Sequence, residues 1–435
     1  MLIMFKVKNY MSFKNDVILD MRATSYKQHP GHVLNISPNL KLLKTVAVYG
    51  ANASGKSNLI SALFFFEQYI FEQFINSQEN EKVDFAEKKL KVKMEPFLLA
   101  DKINAASEFD IIFCHNGKRI QYGFECTSKE VLEEWYYIND KKVFERKKDK
   151  LTFGKSYEKM LNIYSRVPSE RLYLSVLDYF LEKQEKERVL KDFIDFFMNE
   201  YNVYLEILFE ASVKKVAGVV RLNKKLVNSP EFRAKVENYL RKIDVGIRGL
   251  DVQTKTILDE NSGKEKKEKV IKTIHNVFNE EGQIVGRRCF DLLQESTGTL
   301  RFLSYIQNVI EMTEQGGVFI VDEMSARLHP LLTKLIVDIY QSGQNTKAQL
   351  IFTTHDISLM NKEQFRRDEI FFVEKNEKGE SSLHALSDLK NVREDAAFNK
   401  AYLQGKYGGI PVFHYDEILG GERDGKNSTF SGTSD

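Results

Sequence analysis

The stretch "GANASGKSN" at positions 50–58 follows directly on the apolar run "TVAVY". Glycine, four residues, then Gly-Lys-Ser is the spacing of a phosphate-cradling loop. The glycines let successive backbone N–H groups turn into one concavity, and the helix that follows adds its positive N-terminal end. Lys56 is placed to bridge the β- and γ-phosphates of a bound ATP, and the Ser57 hydroxyl to ligate Mg²⁺. Gly50, Asn52, Ser54, Gly55, Lys56, Ser57 and Asn58 are the candidate nucleotide-binding residues of this loop. A second constellation, "VFIVDE", ends an apolar run in paired acids. Asp322 is a candidate magnesium ligand beside Ser57, and Glu323 a candidate base that orients and deprotonates an attacking water.

Spacing narrows the class. Asp322 lies 266 residues beyond Lys56 (322 − 56), much farther than in a compact nucleotide kinase or a ring-forming motor, so an insertion splits the nucleotide-binding core. Just before the acidic strand, "QESTGTLRFLSYIQNVI" places a Ser-Thr-Gly-Thr turn ahead of an apolar helix. Free N–H groups and hydroxyls at a helix N-terminus form a second anion site, carried here by Ser296 and Gly298. One chain has no need to bind one phosphate tail twice, whereas two chains arranged head to tail do.

The elements that must position these groups read as an α/β chain. The opening "LIMFKVKNYMSFKNDVILDM" gives two short strands, and "LLKTVAVYG" a continuous apolar strand ending at the glycine loop. "KSNLISALFFFEQYIFEQFI" has apolar residues near helical spacing, which supplies the strand-loop-helix setting a phosphate loop needs. From about residue 108 to 144 the period changes to two, with His-Asn-Gly-Lys and Asn-Asp turns marking antiparallel hairpins. Between about 168 and 243 the chain turns helical, as in "RVLKDFIDFFMNEY" and in "SPEFRAKVENYLRKI", the latter opening on an N-cap serine and a first-turn proline. "VGIRGLDVQTKTIL" and "VIKTIHNVF" read as strands around the charged hairpin tip "DENSGKEKKEK". Late in the chain, "GGVFIVDE", "AQLIFTTHD" and "DEIFFVEKN" restore parallel-sheet character.

The ordered set of phosphate loop, "ESTGT", "VDE" and "TTHD" resembles the ABC-type ATPases, in particular the branch that includes SMC-like, overcoming-lysogenization-defect (OLD) and phage-defence ATPases. The resemblance implies an ABC-type P-loop ATPase head, a mixed sheet with an N-terminal antiparallel subdomain, carrying a largely helical insertion. It also implies that the turn with Ser296 and Gly298 completes the ATP site of the opposite subunit, that Glu323 is the hydrolytic base, and that His355 contacts the γ-phosphate. "ESTGT" departs from the transporter-type Leu-Ser-Gly-Gly-Gln, and Gln121 is a weak candidate for the glutamine loop. "KNYMSFK", "LHPLL", "RRDEIFFVEKNEKGES" and "YLQGKYGGIP" resemble the stand-alone abortive-infection ATPases of the RloA, Menshen and PARIS types. Such ATPases work with a separately encoded effector, often a TOPRIM-like or RloB-type nuclease. The 80 residues after His355 (435 − 355) hold no Asp-x-Asp pair, so no fused TOPRIM nuclease is expected; no heptad stretch points to a chromosome-organising SMC protein.

The expected division is an N-terminal ATPase lobe at 1–167, a helical insertion at 168–243, a C-terminal ATPase lobe at 244–419 and a disordered tail at 420–435. No run of about 18 apolar residues offers a membrane span, and the N-terminus lacks a signal-peptide pattern, so a cytoplasmic protein is expected. Three cysteines without a CxxC pair suggest neither a disulfide framework nor a zinc site. Net charge is +2, from 64 basic and 62 acidic residues, so nucleic-acid binding would have to be local. The basic clusters "KKVFERKKDK" and "GKEKKEK" read chiefly as solvated loop surfaces, because acids are interleaved and no aromatic platform accompanies them. Two functions follow as expectations. In one, an ATP-hydrolysing dimer or higher homo-oligomer is the sensor or scaffold that controls the effector in anti-phage defence. In the other, the chain is a DNA-repair or DNA-processing ATPase that binds duplex along its basic loops.

Overall fold

The computed structural model describes residues 1–75, 93–101, 105–206, 224–243, 246–258, 265–390, 392 and 397–411. The tip of the charged hairpin and the tail at 420–435 lie outside the described residues. Among the described residues there are eighteen strands: β1 Leu2–Lys8, β2 Val17–Asp20, β3 Val33–Ser37, β4 Leu40–Leu43, β5 Thr45–Tyr49, β6 Ser107–His115, β7 Lys118–Cys126, β8 Val131–Ile138, β9 Lys141–Lys147, β10 Lys150–Phe153, β11 Tyr201–Tyr204, β12 Ile247–Leu258, β13 Glu265–Phe278, β14 Ile284–Asp291, β15 Gly317–Val321, β16 Ala348–Thr353, β17 Ile370–Lys375 and β18 Ser381–Ala385. The helices used below are α1 Lys56–Ile75, α2 Tyr173–Phe180, α3 Pro230–Ile243, α4 Thr297–Gln315, α5 Pro330–Gln341 and α6 Phe398–Leu403.

Two sheets carry the architecture. A seven-stranded antiparallel sheet runs β10-β9-β8-β7-β6-β1-β2, and a six-stranded sheet runs β11-β15-β16-β5-β17-β18. In the second, the strands from β11 to β17 are parallel and only the edge strand β18 is antiparallel. The expected α/β class and the antiparallel N-terminal subdomain are both present. The Asn-Gly and Asn-Asp turns close their hairpins as read, with Asn116, Gly117, Asn139 and Asp140 all at positive φ.

Parallel strands buried on both faces need apolar residues at every position, which is why these read as continuous runs. In β5, Val46 and Val48 enter the core shared with α1 and the antiparallel sheet, while Ala47 and Tyr49 enter the core on the opposite face. β15 divides the same way, Val318 and Ile320 against Phe319 and Val321. The first core is aromatic: Phe66 of α1 stacks on Phe124 of β7 at 5.5 Å between ring centroids. The second is filled by α4 and α5.

Two strands were not legible in the sequence. Residues 201–204, inside the stretch read as helical, form β11, an edge strand parallel to β15. β14 pairs with β13 although its residues are nearly all exposed, so no hydrophobic period announced it. The Ser-Pro-Glu start of α3 behaves as read, with the Phe232 N–H donating to Ser229 Oγ at 3.2 Å.

Gln349 joins the two sheets. Its buried amide accepts from the Leu2 N–H at 2.7 Å and donates to the carbonyls of Leu2 at 3.0 Å and Leu43 at 3.1 Å. Gln349→Leu keeps the apolar bulk but strands those three backbone groups, each worth a desolvation penalty. Chemical denaturation of this variant should show a loss of about 2–4 kcal/mol; a loss under about 0.5 kcal/mol would mean the sheets do not depend on this side chain.

Candidate functional site

The phosphate loop is shaped by close backbone packing. A Cβ at Gly50 would lie 2.5 Å from the Val373 carbonyl oxygen of β17, and one at Gly55 would lie 2.7 Å from Ser381 Oγ and 2.8 Å from Ser12 Oγ. Neither position can carry a side chain without displacing its neighbours. Ser381 Oγ also donates to the Ser54 carbonyl at 2.5 Å, and Asn58 Nδ2 donates to Ser12 Oγ at 2.7 Å. The β1–β2 connection and β18, joined by the Ser381 N–H on the Ser12 carbonyl at 2.7 Å, thus press together on the loop at Gly55. Behind it, Tyr402 of α6 stacks on Phe372 and donates from its hydroxyl to the Gly409 carbonyl at 2.9 Å. The segment "YLQGKYGGIP" therefore buttresses the loop.

Inside this frame Lys56 is buried, and its ammonium donates to the Gly50 and Ala51 carbonyls at 3.1 Å each. Burial lowers its pKa, an effect opposed by Glu323 and Asp322. Ser54 Oγ is buried without a hydrogen-bond partner among the described residues, an orphaned donor in the turn.

The acids stand one strand beyond β16. Parallel register pairs Val321 with Phe352, so Asp322 and Glu323 emerge beside Thr353. The Thr353 hydroxyl donates to Asp322 Oδ1 at 2.7 Å and accepts from the Glu323 N–H at 2.8 Å. Asp322 is buried, its pKa raised chiefly by that burial, and it also accepts a hydrogen bond from Ser57. The Glu323 carboxylate lies 3.4 Å from His355 Nε2. Burial works to raise the Glu323 pKa, but the His355 contact and the charge of Lys56 outweigh it and hold the group below its ordinary 4.5. Glu323 is ionised through neutral pH and loses its negative charge only as pH falls through that lowered pKa. Its backbone is at φ 50°, a left-handed conformation uncommon for a residue other than glycine.

Residues 52–58, Glu323, His355 and Lys375 line one cleft of about 420 Å³. The candidates Asn52, Ser54, Gly55, Lys56, Ser57, Asn58, Glu323 and His355 are therefore together, while Gly50, at the start of the loop, and buried Asp322, hydrogen-bonded to Ser57, do not line the cleft. Ser296 and Gly298 are not part of this lining. Ser296 instead caps α4, its exposed hydroxyl accepting from the Thr299 N–H at 3.0 Å. A Cβ at Gly298 would lie 2.9 Å from the Arg327 carbonyl oxygen, so the turn packs against the loop that follows Glu323. Gln121 is misplaced for a glutamine loop: it sits on β7 with its amide on Asp110 and does not line the cleft.

Half of the basic cluster at 141–150 is held in local contacts, while Lys141, Lys148 and Lys150 are exposed. Arg146 is buried on backbone carbonyls, Lys142 pairs with Glu145, and Lys147 with Glu133. Of "GKEKKEK", the first two residues lie outside the described residues, and Lys269 donates to Asn228 Oδ1. Arg366 and Arg367 hold loops: the first donates to the Tyr26 and Gln28 carbonyls, and the second stacks on Tyr26.

The sequence reading missed Ser12, Ser381 and Thr353 as site residues. Thr353 had a signal, since it precedes the histidine in "TTHD"; the two serines had none, because their contacts close only through the tertiary fold.

Residues 46–361 match the family profile described as "AAA domain, putative AbiEii toxin, Type IV TA system". Solved structures similar to the chain include three SMC heads. The SMC head domain from Thermotoga maritima has 14% identity over 88% of this chain and 98% of its own, with TM-score 0.37. The Smc head domain with an extended coiled coil, bound to the C-terminal domain of ScpA and derived from Pyrococcus furiosus, has 12% identity over 92% and 98%, with TM-score 0.41. The Smc head bound to the C-terminal winged-helix domain of ScpA has 11% identity over 92% and 99%, with TM-score 0.45. No curated protein matches the chain.

Thr353→Val removes the hydroxyl that spans both acids while keeping the shape of the side chain. Nucleotide turnover should fall about tenfold to a hundredfold, while mant-ATP affinity changes by less than about threefold. Thr353→Ser should retain turnover. Full activity in the valine variant would show that the acids keep their places unaided.

Proposed function

The chain belongs to the family described as "AAA domain, putative AbiEii toxin, Type IV TA system", and from that premise we propose that it is an ABC-type P-loop ATPase head that binds and hydrolyses ATP as a switch for its own head-to-tail association. In this reading each triphosphate is held by one copy's phosphate loop and by the turn with Ser296 and Gly298 of its twin. The single observation that supports it is the separation of these two parts: the cleft is lined by the loop, the base and the histidine, while the capped, exposed serine turn lies outside it. Association would bring them together, so nucleotide affinity and oligomerisation are linked.

A divalent cation fits beside Ser57. Buried Asp322 and the Ser57 hydroxyl offer oxygen ligands only, and among the described residues no group of three or more His, Cys, Asp or Glu could hold a metal alone. That donor set suits magnesium, which completes its shell with water and substrate phosphates. When bound, the cation neutralises phosphate charge and polarises the γ-phosphoryl group.

The chain's own residues do the rest. Lys56, held in place by two carbonyls, turns its ammonium to the β- and γ-phosphates. Glu323, ionised and 3.4 Å from His355, accepts the proton of the attacking water, and His355 Nε2 then faces the γ-phosphate. Thr353 keeps both acids aligned while the loops around them move.

At the level of the cell, the closed and open forms are read out by a separately encoded effector, a nuclease of TOPRIM-like or RloB-like type, in an anti-phage defence pair. What supports this reading is the resemblance of the terminal motifs to the stand-alone abortive-infection ATPases; the family profile's description names a putative toxin of a type IV toxin–antitoxin system and no separate effector.

Glu323→Gln should slow hydrolysis about a hundredfold or more. In ATP and Mg²⁺ it should move from monomer to dimer mass by light scattering. Lys56→Ala should bind no mant-ATP and keep its nucleotide-free mass. Equal masses for both variants in ATP would remove the composite site.

A further inference from the structure

The ends of the parallel strands present their residues in a row. Asp322 and Glu323 follow β15, His355 follows β16, the phosphate loop follows β5, and Lys375 ends β17. Register pairs Phe372 of β17 with Tyr49 of β5, which sets Val373 against Gly50 and carries Lys375 past the start of the phosphate loop. The lysine lines the same cleft as residues 52–58, Glu323 and His355, on the flank opposite the histidine.

Its charge is not used elsewhere. Lys375 is exposed, and its ammonium has no hydrogen bond or ion pair among the described residues. Two of the nearby acids are engaged, Glu374 Oε1 accepting from the Gly409 N–H at 2.6 Å and Glu380 pairing with Lys14 at 2.6 Å, while Glu377 is exposed in the turn that follows. The turn beyond is fixed by Asn376, whose side-chain oxygen accepts from the N–H groups of Lys378 and Glu380 at 3.0 Å. A flexible cation on a rigid hairpin therefore overhangs an anion-shaped loop.

We propose that Lys375 is a further nucleotide-binding residue, a second lysine that grips the phosphates next to the ribose rather than the γ-phosphate. The direction follows from the row. The base and the histidine mark the γ-phosphate end, on β15 and β16. Strands lie about 4.8 Å apart, which sets β17 two spacings, roughly 10 Å, beyond β16 on the other side of the loop. The proposal rests on the ATP-binding reading given above and adds to it the residue that holds the nucleoside-proximal end. Because the contact does not touch the reacting bond, it binds ground state and transition state alike and acts on KM rather than kcat.

The test compares Lys375→Gln and Lys375→Arg with the unaltered chain, using mant-ADP and mant-ATP binding and steady-state hydrolysis. The glutamine variant should bind both nucleotides about tenfold more weakly, with the same factor for each. KM should rise in step, and arginine should restore both quantities. Binding unchanged for both nucleotides would make Lys375 an ordinary surface lysine and overturn the proposal. A loss confined to mant-ATP would place the contact on the γ-phosphate and overturn it as well. If the unaltered chain bound neither nucleotide, the ATP reading itself would fall and the proposal with it, whereas retained binding in the unaltered chain with no effect of Lys375→Gln sinks the proposal alone.

Discussion

The phosphate loop keeps its shape because two of its positions carry no side chain while three remote segments press on it. Gly50 lies against the Val373 carbonyl, and Gly55 against the hydroxyls of Ser12 and Ser381. Each contact is closer than a Cβ permits, so the backbone approaches where ordinary residues would hold it off. The consequence is preorganisation: the N–H groups of the turn are fixed before any anion arrives, and the orphaned Ser54 hydroxyl is held inside with them. The loop cannot loosen without also moving β17, β18 and the opening residues of the chain.

Around that fixed turn the charges are arranged by burial. Lys56 and Asp322 are both pulled towards neutrality by desolvation, while Glu323, nearer solvent and 3.4 Å from His355, is held ionised. Two adjacent acids thus differ in character for an environmental reason. The Thr353 hydroxyl makes the difference geometric as well, since it donates to one acid's carboxylate and accepts from the other's backbone. On the proposed reading, the carboxylate kept charged beside the histidine serves as the base, and the one buried beside the serine hydroxyl as the cation ligand.

How much of this was legible in the sequence depended on the distance over which each interaction is written. The phosphate loop, the acids and the histidine sit at strand ends, and continuous apolar runs mark such strands without reference to the rest of the chain. The Asn-Gly and Asn-Asp turns were legible because their backbone conformations select those residues locally. Ser12 and Ser381 carry no local mark, and Ser381 reaches Ser54 across 327 residues of chain. β11 was hidden because four residues in a helical neighbourhood become a strand only by pairing with β15. β14 was hidden for the opposite reason: nearly all of it faces solvent, so nothing in its composition alternates.

The same long-range packing bears on how a partner's contact would reach the chemistry. The turn with Gly298 presses on the Arg327 carbonyl, within the loop that begins at Glu323. One helical turn on, buried Arg301 of α4 donates to the Glu323 carbonyl at 3.4 Å and to the Glu206 carboxylate beyond β11. Serine turn and base are therefore parts of one packed unit, joined by a backbone contact and a guanidinium. Packed units of this kind shift between discrete arrangements instead of deforming continuously. On the proposed head-to-tail arrangement, engaging the twin's nucleotide at Ser296 would bias the position of Glu323 in the chain's own cleft, and each site would report its state to the other. Reciprocity follows from linkage: whatever the twin's nucleotide does to this base, this chain's nucleotide does to the twin's serine turn.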